Sequence, residues 1–270
     1  MPNTLKNSLF LLFAVLATIA CKTEVPDDAA LFNTAKVNPN TLSKELLLAV
    51  LRNEDTQDVQ RSIDELDAES LHLQLDTDKK KMAFWINLYN AHIITALRAH
   101  PEYYEPAVRS DFFKKRLISV AGLQLSFAEV EHGLIRKSQW EYGLGYFRTW
   151  FPEKFERQNR VNQVDYRAHF ALNCGAKDCP PVAVYTPENL ETQLQEQTRA
   201  YLTKTTIFDK ASNTAKVTSL FSWFRGDFGG KNGIRKILKE QKLIPQKSRV
   251  KLSYRNYDWT LDLNNYILPN

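Results

Sequence analysis

The chain has 270 residues, of which 43% are hydrophobic and 25% are charged, and its formal net charge is +5. A chain of this length carries enough apolar side chains for one large folded domain or two small ones. The positive excess is modest, and its densest runs, residues 79–81 and 114–116, are typical of solvated helix or strand edges. The charge pattern therefore argues against a nucleic-acid partner.

The N-terminus predicts export. Lys6 precedes an apolar run from Leu9 to Ala20, which is too short to span a bilayer and has the shape of a secretory signal. The small and apolar residues directly before Cys21 resemble a bacterial lipoprotein processing site, although Thr18 replaces the usual leucine. We therefore expect cleavage before Cys21 and attachment of lipid, including palmitate, to it. The alternative is an ordinary signal peptide with a chance cysteine.

The predicted lipidation of Cys21 indicates how the whole chain is divided into segments. The residues that follow it are polar and lack apolar periodicity, which is typical of a tether, and no linker interrupts the remainder. We predict a signal peptide (1–20), a polar tether (21–40) and a single globular domain (41–270). The expected location is the bacterial cell envelope, at the outer membrane or cell surface. The membrane is then the expected partner through the lipid, while a protein or cell-wall partner is left open.

The strongest predicted helix lies between a cap at Asp76 or Thr77 and a stop at Pro101. Apolar residues surround nearly its whole circumference, which is typical of a buried central helix. Asn87 and Asn90 stand within this apolar surface. A buried amide without partners is unfavourable by about 1–3 kcal/mol. We therefore expect both amides to bond to neighbouring backbone or to a functional site.

A hairpin pattern follows, with a Gly-containing turn at 121–122 between two apolar strands. Ser126 and Glu129 then form a capping-box pattern, which predicts a new helix start. That helix carries Glu131 and Arg136, which are five residues apart and so do not face each other directly. Arg136 either binds an anionic substrate or pairs with a carboxylate inside the fold, and the second interpretation is favoured.

The candidate reactive segment begins as a predicted short strand, then turns into a Gly-containing loop that ends on two prolines. It holds His169, Asn173, Cys174 and Cys179. A thiol, an imidazole and a stiff loop are the parts of a nucleophilic site, in which Cys174 attacks and His169 takes the proton. The backbone amides around Gly175 are expected to stabilise an oxyanion. The two cysteines equally fit a structural loop, either as free small hydrophobes or as a local disulfide.

A metal site is a weaker hypothesis for the same residues. Cys174, Cys179 and His169 supply three ligands, and His132 or Glu131 would have to supply the fourth. The spacing of the two cysteines is loose for zinc, and exported thiols often oxidise. We therefore predict neither a metal nor a cofactor.

Downstream of the loop, residues 182–185 predict a short strand and Thr186 predicts a helix cap. Further strand patterns and a short helix complete the chain. Asp227 and Asp258 each lie between aromatic residues and are interpreted as turn or cap residues. The whole pattern predicts an α+β fold, a mostly helical single domain with a small antiparallel sheet around the buried central helix.

Four separated motifs stand in one order along the chain. They are Phe-Trp-Ile-Asn-Leu-Tyr-Asn-Ala at 84–91, Glu-His-Gly-Leu-Ile-Arg at 131–136, His-Phe-Ala-Leu-Asn-Cys-Gly at 169–175 with Cys179-Pro180, and Tyr-Asp-Trp-Thr-Leu at 257–261. They resemble the signatures of the family catalogued as domain of unknown function 547. The resemblance implies a fold of this family and no settled activity, and bacterial members are often exported or lipid-anchored. Plant relatives keep the first loop cysteine and carry serine at the second, which implies that Cys174 is the functional thiol.

Two classes of function remain open. The first is a lipid-anchored envelope protein whose domain is a non-catalytic binding or scaffold module, or one whose activity has yet to be assigned. The second is a cysteine-dependent hydrolase or acyl transferase that acts on peptide-like amides. The candidate catalytic residues are Cys174, His169, Asn173 and Glu131, and the candidate binding residues are Asn87, Asn90 and Arg136.

Overall fold

The structure is a computed structural model that describes residues 37–269. The predicted signal peptide, the lipidation site Cys21 and most of the predicted tether lie outside these residues. The first helix begins at Pro39, so the last two positions of the predicted tether are helical, and Asn40 is buried. Asn38 caps this helix by accepting a hydrogen bond from the Asn40 N–H at 2.9 Å.

The described residues form short and medium helices with a minority of strand. The α-helices are α1 (Pro39–Arg52), α2 (Gln57–Asp64), α3 (Ala68–Gln74), α4 (Asp78–Ala99), α5 (Arg109–Phe112), α6 (Lys154–Asn159), α7 (Leu190–Thr205), α8 (Leu220–Trp223) and α9 (Gly230–Glu240). The strands are β1 (Arg116–Val120), β2 (Leu123–Ser126), β3 (Ile207–Asp209), β4 (Thr214–Val217) and β5 (Lys251–Tyr254). A π-helix spans Glu129–Ile135, and 3₁₀ helices span Pro101–Tyr104, Glu141–Gly143 and Tyr166–Phe170. None of the helices within residues 37–269 has the length and apolar character needed to cross a membrane.

The central helix α4 forms as predicted. Thr77 caps it by accepting a hydrogen bond from the Lys80 N–H at 3.3 Å, and the helix ends at Ala99, just before Pro101. Every side chain from Lys81 to Ala91 is buried. Helix α1 packs along α4, and the π-helix and β1 contact other sides of it. Tertiary burial therefore stabilises this helix on all its faces.

The strands form two small sheets. β1 and β2 pair antiparallel as the predicted hairpin, with Ile118 opposite Leu125. In the second sheet β3 pairs antiparallel with β4, and β4 pairs parallel with β5. The structure is 48% helical and 11% strand, which confirms a mostly helical α+β domain.

The helix after the hairpin starts at the predicted capping box. The Ser126 N–H donates to Glu129 Oε2 at 2.7 Å, and the Glu129 N–H donates to Ser126 Oγ at 3.1 Å. The helix then widens into a π-helix, in which the Arg136 N–H donates to the Glu131 carbonyl five residues back. Such segments are frequent at functional sites.

The predicted strand before the cysteine loop is wrong. Residues Tyr166–Phe170 form a 3₁₀ helix, which Asp165 caps by accepting a hydrogen bond from the Arg167 N–H. In a 3₁₀ helix neighbouring side chains point about 120° apart. His169 and Phe170 can therefore both be buried, each against a different partner, with Phe170 in an apolar cluster formed by α7, β4, α8 and α9.

The segment from Val182 to Thr186 also differs from the prediction. It forms only a single bridge, to Tyr266, and helix α7 begins at Leu190 instead of directly after Thr186. The amide side chains of Asn87, Gln193 and Gln197 pair with the backbone of residues 181–186. Side chains of α4 and α7 thus take the place of a neighbouring strand.

Candidate functional site

A cavity of about 440 Å³ opens beside α4, between the π-helix and the cysteine loop. Its walls are mainly aromatic and aliphatic, and a few polar side chains reach it. The apolar lining includes Tyr89, Phe113, Phe127, Leu144, Leu172, Leu220, Trp223, Phe224, Tyr257 and Trp259. The polar lining includes Glu131, His132, His169, Cys174 and Cys179. A largely apolar pocket with a few convergent titratable groups is the usual form of a ligand or active site.

The two loop cysteines are free thiols in mutual contact. Cys174 is half-buried and Cys179 is buried, and their Sγ atoms lie 2.8 Å apart. Cys179 Sγ also accepts hydrogen bonds from the Cys174 N–H at 3.1 Å and from the Tyr257 hydroxyl at 3.2 Å. The Tyr104 hydroxyl stands 4.0 Å from Cys174 Sγ. Of the alternatives that the sequence leaves open, the local disulfide is therefore absent here, and the thiols form a hydrogen-bonded pair.

The environment makes Cys174 the more acidic thiol of this pair. The hydrogen bond from Cys179 stabilises a thiolate on Cys174 and lowers its pKa, in spite of burial. Burial, followed by the hydrogen bond that it donates to Cys174, raises the pKa of Cys179 well above its ordinary value. Cys174 is thus the thiol that ionises first, and it is the one suited to act as a nucleophile.

Asn173 fastens the loop instead of facing the cavity. Its N–H donates to Asn90 Oδ1 at 3.0 Å, its amide nitrogen donates to the Pro180 carbonyl at 2.8 Å, and its Oδ1 accepts from the Gly175 N–H at 2.7 Å. Gly175 has φ +92°, and an added Cβ would lie 2.7 Å from Leu97 Cδ1. Asn173 therefore sets the loop backbone, and Gly175 allows the sharp turn.

Two of the amides around Gly175 are not available for the predicted oxyanion role. The Gly175 N–H is bound to the Asn173 side chain, and the Cys174 N–H is bound to Cys179 Sγ. Each of these donors already has an acceptor within the loop. These two amides are therefore excluded from that role, whereas the Ala176 N–H points to the Cys174 thiol and helps to lower its pKa. The side chains of the cavity offer a further oxyanion donor.

The two asparagines of α4 lie behind the cavity lining and bond to backbone. Asn87 donates to the Tyr185 carbonyl at 2.8 Å and accepts from the Tyr185 N–H at 2.9 Å. Asn90 donates to the Ala171 carbonyl at 3.0 Å and accepts from the Asn173 N–H. Both amides thus hold distant backbone segments against α4, which assigns them a structural role instead of ligand binding.

A buried chain of charged and imidazole groups forms one side of the site. Asp227 Oδ2 accepts hydrogen bonds from Arg136 Nε at 2.6 Å and from His169 Nε2 at 2.8 Å. Arg136 Nη1 in turn donates to His132 Nδ1 at 2.5 Å. The side chains of Arg136 and Asp227 are 1% and 0% exposed. We call the four residues His132, Arg136, Asp227 and His169 the charged relay.

The favoured interpretation of Arg136, pairing with a carboxylate inside the fold, matches this arrangement. Burial raises the pKa of the Asp227 carboxyl, but its hydrogen bond with His169 and the nearby Arg136 guanidinium outweigh that, so the net pKa is lowered. Asp227 is therefore an ionised carboxylate between two nitrogen groups.

The relay fixes the proton positions on both imidazoles. Arg136 only donates, so His132 Nδ1 is unprotonated and the neutral ring carries its proton on Nε2. Burial and the Arg136 charge lower the pKa of His132 to about 3, so this ring is neutral at pH 7. Within residues 37–269, His132 Nε2 has no hydrogen-bond partner. His132 thus presents a neutral N–H donor beside the cavity.

His169 has the opposite arrangement. Its Nε2 donates to the Asp227 carboxylate, which leaves the lone pair on Nδ1, and this atom makes no hydrogen bond to any part of the chain that the structure describes. Burial lowers the pKa of His169 below its ordinary value, although Asp227 opposes the shift. The ring stacks on Phe224 with centroids 4.1 Å apart. A neutral His169 with a free Nδ1 is suited to accept a proton.

Glu131 lines the cavity next to these groups. The Tyr89 hydroxyl donates to Glu131 Oε2 at 3.4 Å. Burial raises the pKa of Glu131, in spite of the nearby Arg136 charge. The candidate catalytic residues Glu131, His169 and Cys174 therefore share one cavity.

No hydrogen bond joins the Cys174 thiol to an imidazole among the described residues. Cys174 Sγ contacts Cys179 and Tyr104, whereas His169 is bound to Asp227. Among residues 37–269, no group of three or more His, Cys, Asp or Glu side chains is arranged to hold a metal ion.

Sequence reasoning missed the central member of the relay. The sequence pattern favours a turn or cap role for Asp227, yet its carboxylate is fully buried. The Gly226 N–H bonds to the Leu144 carbonyl, and a Cβ on Gly226 would lie 2.3 Å from the Gly145 backbone. The glycines on either side of this contact are the signal in the sequence, because they allow the close backbone approach that brings Asp227 to Arg136.

One comparison with known proteins gives a match. Residues 73–202 match the model of the family described as "Protein of unknown function, DUF547". This confirms the resemblance carried by the sequence motifs. No curated protein and no solved structure matches the chain. The matched segment contains the thiols, His132, Arg136 and His169, while Asp227 and the wall residues Tyr257 and Trp259 follow it in the chain.

Proposed function

We propose that this chain, whose residues 73–202 match the DUF547 family model, is a cysteine-dependent hydrolase or acyl transferase with Cys174 as its nucleophile. One observation carries the proposal. The thiol with the lowered pKa opens on the same cavity as His169, whose Nε2 is held by the buried Asp227 carboxylate. Thiol, imidazole and carboxylate are the parts that an activated cysteine requires.

The acylation step uses three side chains. His169 Nδ1 takes the thiol proton, and Cys174 Sγ bonds to the carbonyl carbon of an amide or ester. The carbonyl oxygen gains negative charge and accepts a hydrogen bond from His132 Nε2–H. When the carbon–nitrogen or carbon–oxygen bond breaks, the leaving amine or alcohol takes the proton from His169 and a thioester remains on Cys174.

Deacylation reverses the proton movements. Water, or an acceptor hydroxyl or amine, attacks the thioester carbonyl while His169 Nδ1 accepts its proton. The carbon–sulfur bond then breaks, and the proton returns to Cys174. Catalytic hydrogen bonds are often long before substrate binds, so Cys174 is expected to exchange its contact with Cys179 for one with His169 in the complex. Arg136 and Asp227 act through the imidazoles and are positioning residues.

The cavity walls favour a substrate with an apolar group next to the reacting carbonyl. Phe127, Leu172 and Trp223 belong to these walls, and burying such surface against a ligand yields about 25 cal/mol per Å². Peptide-like amides with an apolar side chain fit this description.

A non-catalytic binding module is the second candidate. Two observations favour a binding module. The Cys174 thiol makes its hydrogen bond to Cys179 instead of to an imidazole, and the cavity walls are apolar. In this case the cavity would hold an apolar ligand without forming a covalent bond to it.

Covalent trapping separates the two candidates. The purified full chain is mixed with p-nitrophenyl hexanoate, the release of nitrophenolate is followed, and the acylated peptide is identified by mass spectrometry. The enzyme proposal predicts a burst of nitrophenolate with the hexanoyl group on Cys174. This label is lost in Cys174→Ser and still forms in Cys179→Ser, although at an altered burst rate because the Cys179 hydrogen bond to the nucleophile is changed. A label confined to surface lysines, or an equal label in Cys174→Ser, contradicts it.

The location of the protein is also a proposal, supported by the sequence before Cys21. The domain is held at the bacterial cell envelope by lipid on that cysteine. The N-terminal peptide of protein purified from membranes is expected to begin at Cys21 and to carry acyl chains. An N-terminal peptide that begins elsewhere, or an unmodified Cys21, contradicts the anchor.

A further inference from the structure

A short segment between the π-helix and α6 exposes a dense set of aromatic side chains. We call residues 140–151 the aromatic loop. Its exposed apolar side chains are Trp140, Tyr142, Leu144, Tyr146, Phe147, Trp150 and Phe151. Trp150 is 88% and Phe151 89% exposed, which is extreme for side chains of this size. Folded proteins rarely leave contiguous apolar surface of this kind in water unless it meets a partner.

The backbone of the loop is held in place. The Trp140 N–H donates to the Phe147 carbonyl at 2.9 Å, and the Thr149 N–H donates to the Ser138 carbonyl at 2.8 Å. The Leu144 carbonyl accepts a hydrogen bond from the Gly226 N–H at 2.7 Å. The aromatic rings are therefore fixed on the outside of the domain and cannot fold into a core without breaking these bonds.

The geometry points to a lipid bilayer as the partner of the aromatic loop. Trp, Tyr and Phe are the side chains enriched where proteins meet the bilayer interface. Trp150 and Phe151 project almost fully from the surface, as side chains that insert into a bilayer interface do. Only Glu141 and Arg148 carry charge in the loop, so few charged groups would have to be desolvated on contact.

This inference rests on the proposed lipid anchor. The 16 residues from Lys22 to Val37 span at most about 55 Å when fully extended. A lipidated Cys21 therefore keeps the domain within that distance of the bilayer. A second contact at the aromatic loop adds to membrane binding, since stable attachment generally combines two signals.

The contact also bears on the substrate. Tyr142 and Leu144 are both exposed and part of the cavity lining. A loop that contacts lipid would place this side of the cavity at the bilayer surface. The apolar group that the cavity accepts would then come from a membrane-bound amphiphile carrying an amide or ester.

Fluorescence quenching by brominated lipid tests the contact. The full lipidated chain is reconstituted in vesicles of phosphatidylethanolamine and phosphatidylglycerol, with and without bromine on the acyl chains. We expect bromine to quench the tryptophan emission, the double variant Trp140→Phe, Trp150→Phe to lose most of this quenching because it removes both tryptophans of the loop, and the comparison variant Trp259→Phe to keep it. Equal quenching in the wild type and in the double variant overturns the inference.

Flotation of the same vesicles separates this inference from the anchor. Protein that floats with the vesicles without being quenched overturns the loop contact and leaves the anchor intact. Protein that does not float contradicts the anchor and, with it, the argument for the contact. The double variant Trp150→Asp, Phe151→Asp is measured by sedimentation in detergent, with the Cys174 alkylation rate as a check of folding. If the wild type is a dimer and this variant is a monomer, the partner of the loop is a second copy of the chain, and the inference is overturned.

Discussion

Two buried polar networks lie on either side of the cysteine loop, and they differ in how completely their groups are paired. The amide network of Asn87, Asn90 and Asn173 bonds to backbone groups, and no amide atom of these side chains lacks a partner. In the charged relay, Asp227 Oδ1 and Arg136 Nη2 are buried without a partner in residues 37–269.

This difference in hydrogen-bond pairing distinguishes two roles within the cysteine loop, namely fixing the backbone and supplying a reactive thiol. A fully paired amide network fixes backbone and leaves nothing to react. A buried network with ionised groups and unpaired atoms is unfavourable for stability, and such arrangements are found where groups are held for chemistry. Asn173 and Cys174 are adjacent in sequence, yet the first belongs to the scaffold and the second to the cavity.

The largest effect is expected from breaking the charged relay. Asp227→Asn removes the negative charge that compensates Arg136, a guanidinium that is 1% exposed. We expect the free energy of unfolding in urea to fall by about 3–5 kcal/mol. The matched control is Asp258→Asn, since this carboxylate meets Lys177 at 3.7 Å at the surface, where solvent screens the pair, so its loss is expected to be much smaller. Equal losses in the two variants would contradict a special role for the relay.

Breaking the amide network is expected to have a somewhat smaller effect. Asn90→Ala leaves the Ala171 carbonyl and the Asn173 N–H buried without partners, at about 1–3 kcal/mol for each group. We expect a loss of about 2–4 kcal/mol in urea unfolding. The exposed Asn189 serves as the control, because Asn189→Ala is expected to stay within about 0.5 kcal/mol of wild type. A loss below about 1 kcal/mol in Asn90→Ala, the value of one ordinary hydrogen bond, would show that the network is not structural.

The relay also predicts a pH dependence. The pKa of His132 is about 3 in the folded protein and about 6.5 in the unfolded chain. Between these values the unfolded state binds more protons, so stability falls as the pH drops from 6.5 towards 3, by about 1–2 kcal/mol at pH 5 from this group. Burial lowers the pKa of His169 and His92 too, and both act in the same direction.

Replacing His132 isolates its contribution to the pH dependence of stability. Between pH 7 and pH 5, the melting temperature of His132→Gln is expected to fall less than that of the wild type. His100→Gln, which changes an exposed side chain outside the relay, provides the comparison. An identical loss in wild type and His132→Gln would mean that His132 is not held neutral by Arg136.

The smallest expected effect concerns the thiol pair. Tyr257→Phe removes the hydroxyl that donates to Cys179 Sγ at 3.2 Å, at a loss of about 0.5–1.5 kcal/mol in urea unfolding. Tyr104→Phe removes only a 4.0 Å contact with Cys174 and is expected to lose less. The reverse order would contradict the assignment of hydrogen bonds around the two thiols.

Local patterns made part of this fold predictable. Thr77 and Ser126 act as caps within three residues of their partners, and the apolar periodicity of α4 follows from helix geometry alone. The two asparagines of α4 stood out because an amide within an apolar surface has to find a partner. Their backbone partners are confirmed, and a structural role follows from them.

Long-range pairing made the rest unpredictable. Asp227 meets His169 across 58 positions of sequence and Arg136 across 91, and no local pattern marks such a contact. The alternation that predicted a strand at His169 instead reflects two neighbouring side chains buried against different partners, one of them Asp227. Tertiary contacts therefore decided both the local structure and the chemistry of this segment.

The rate of Cys174 alkylation as a function of pH tests the central claim most directly. The full chain is treated with iodoacetamide from pH 5 to pH 9, and modification of Cys174 and Cys179 is resolved by peptide mass. The account predicts that Cys174 reacts first, with a midpoint below that of a free thiol, and that Cys179→Ser alters this midpoint because the pKa of Cys174 is lowered chiefly by its Cys179 partner. A Cys174 that reacts at pH 6 no faster than a free model thiol, with a midpoint unchanged in Cys179→Ser, would contradict an activated nucleophile.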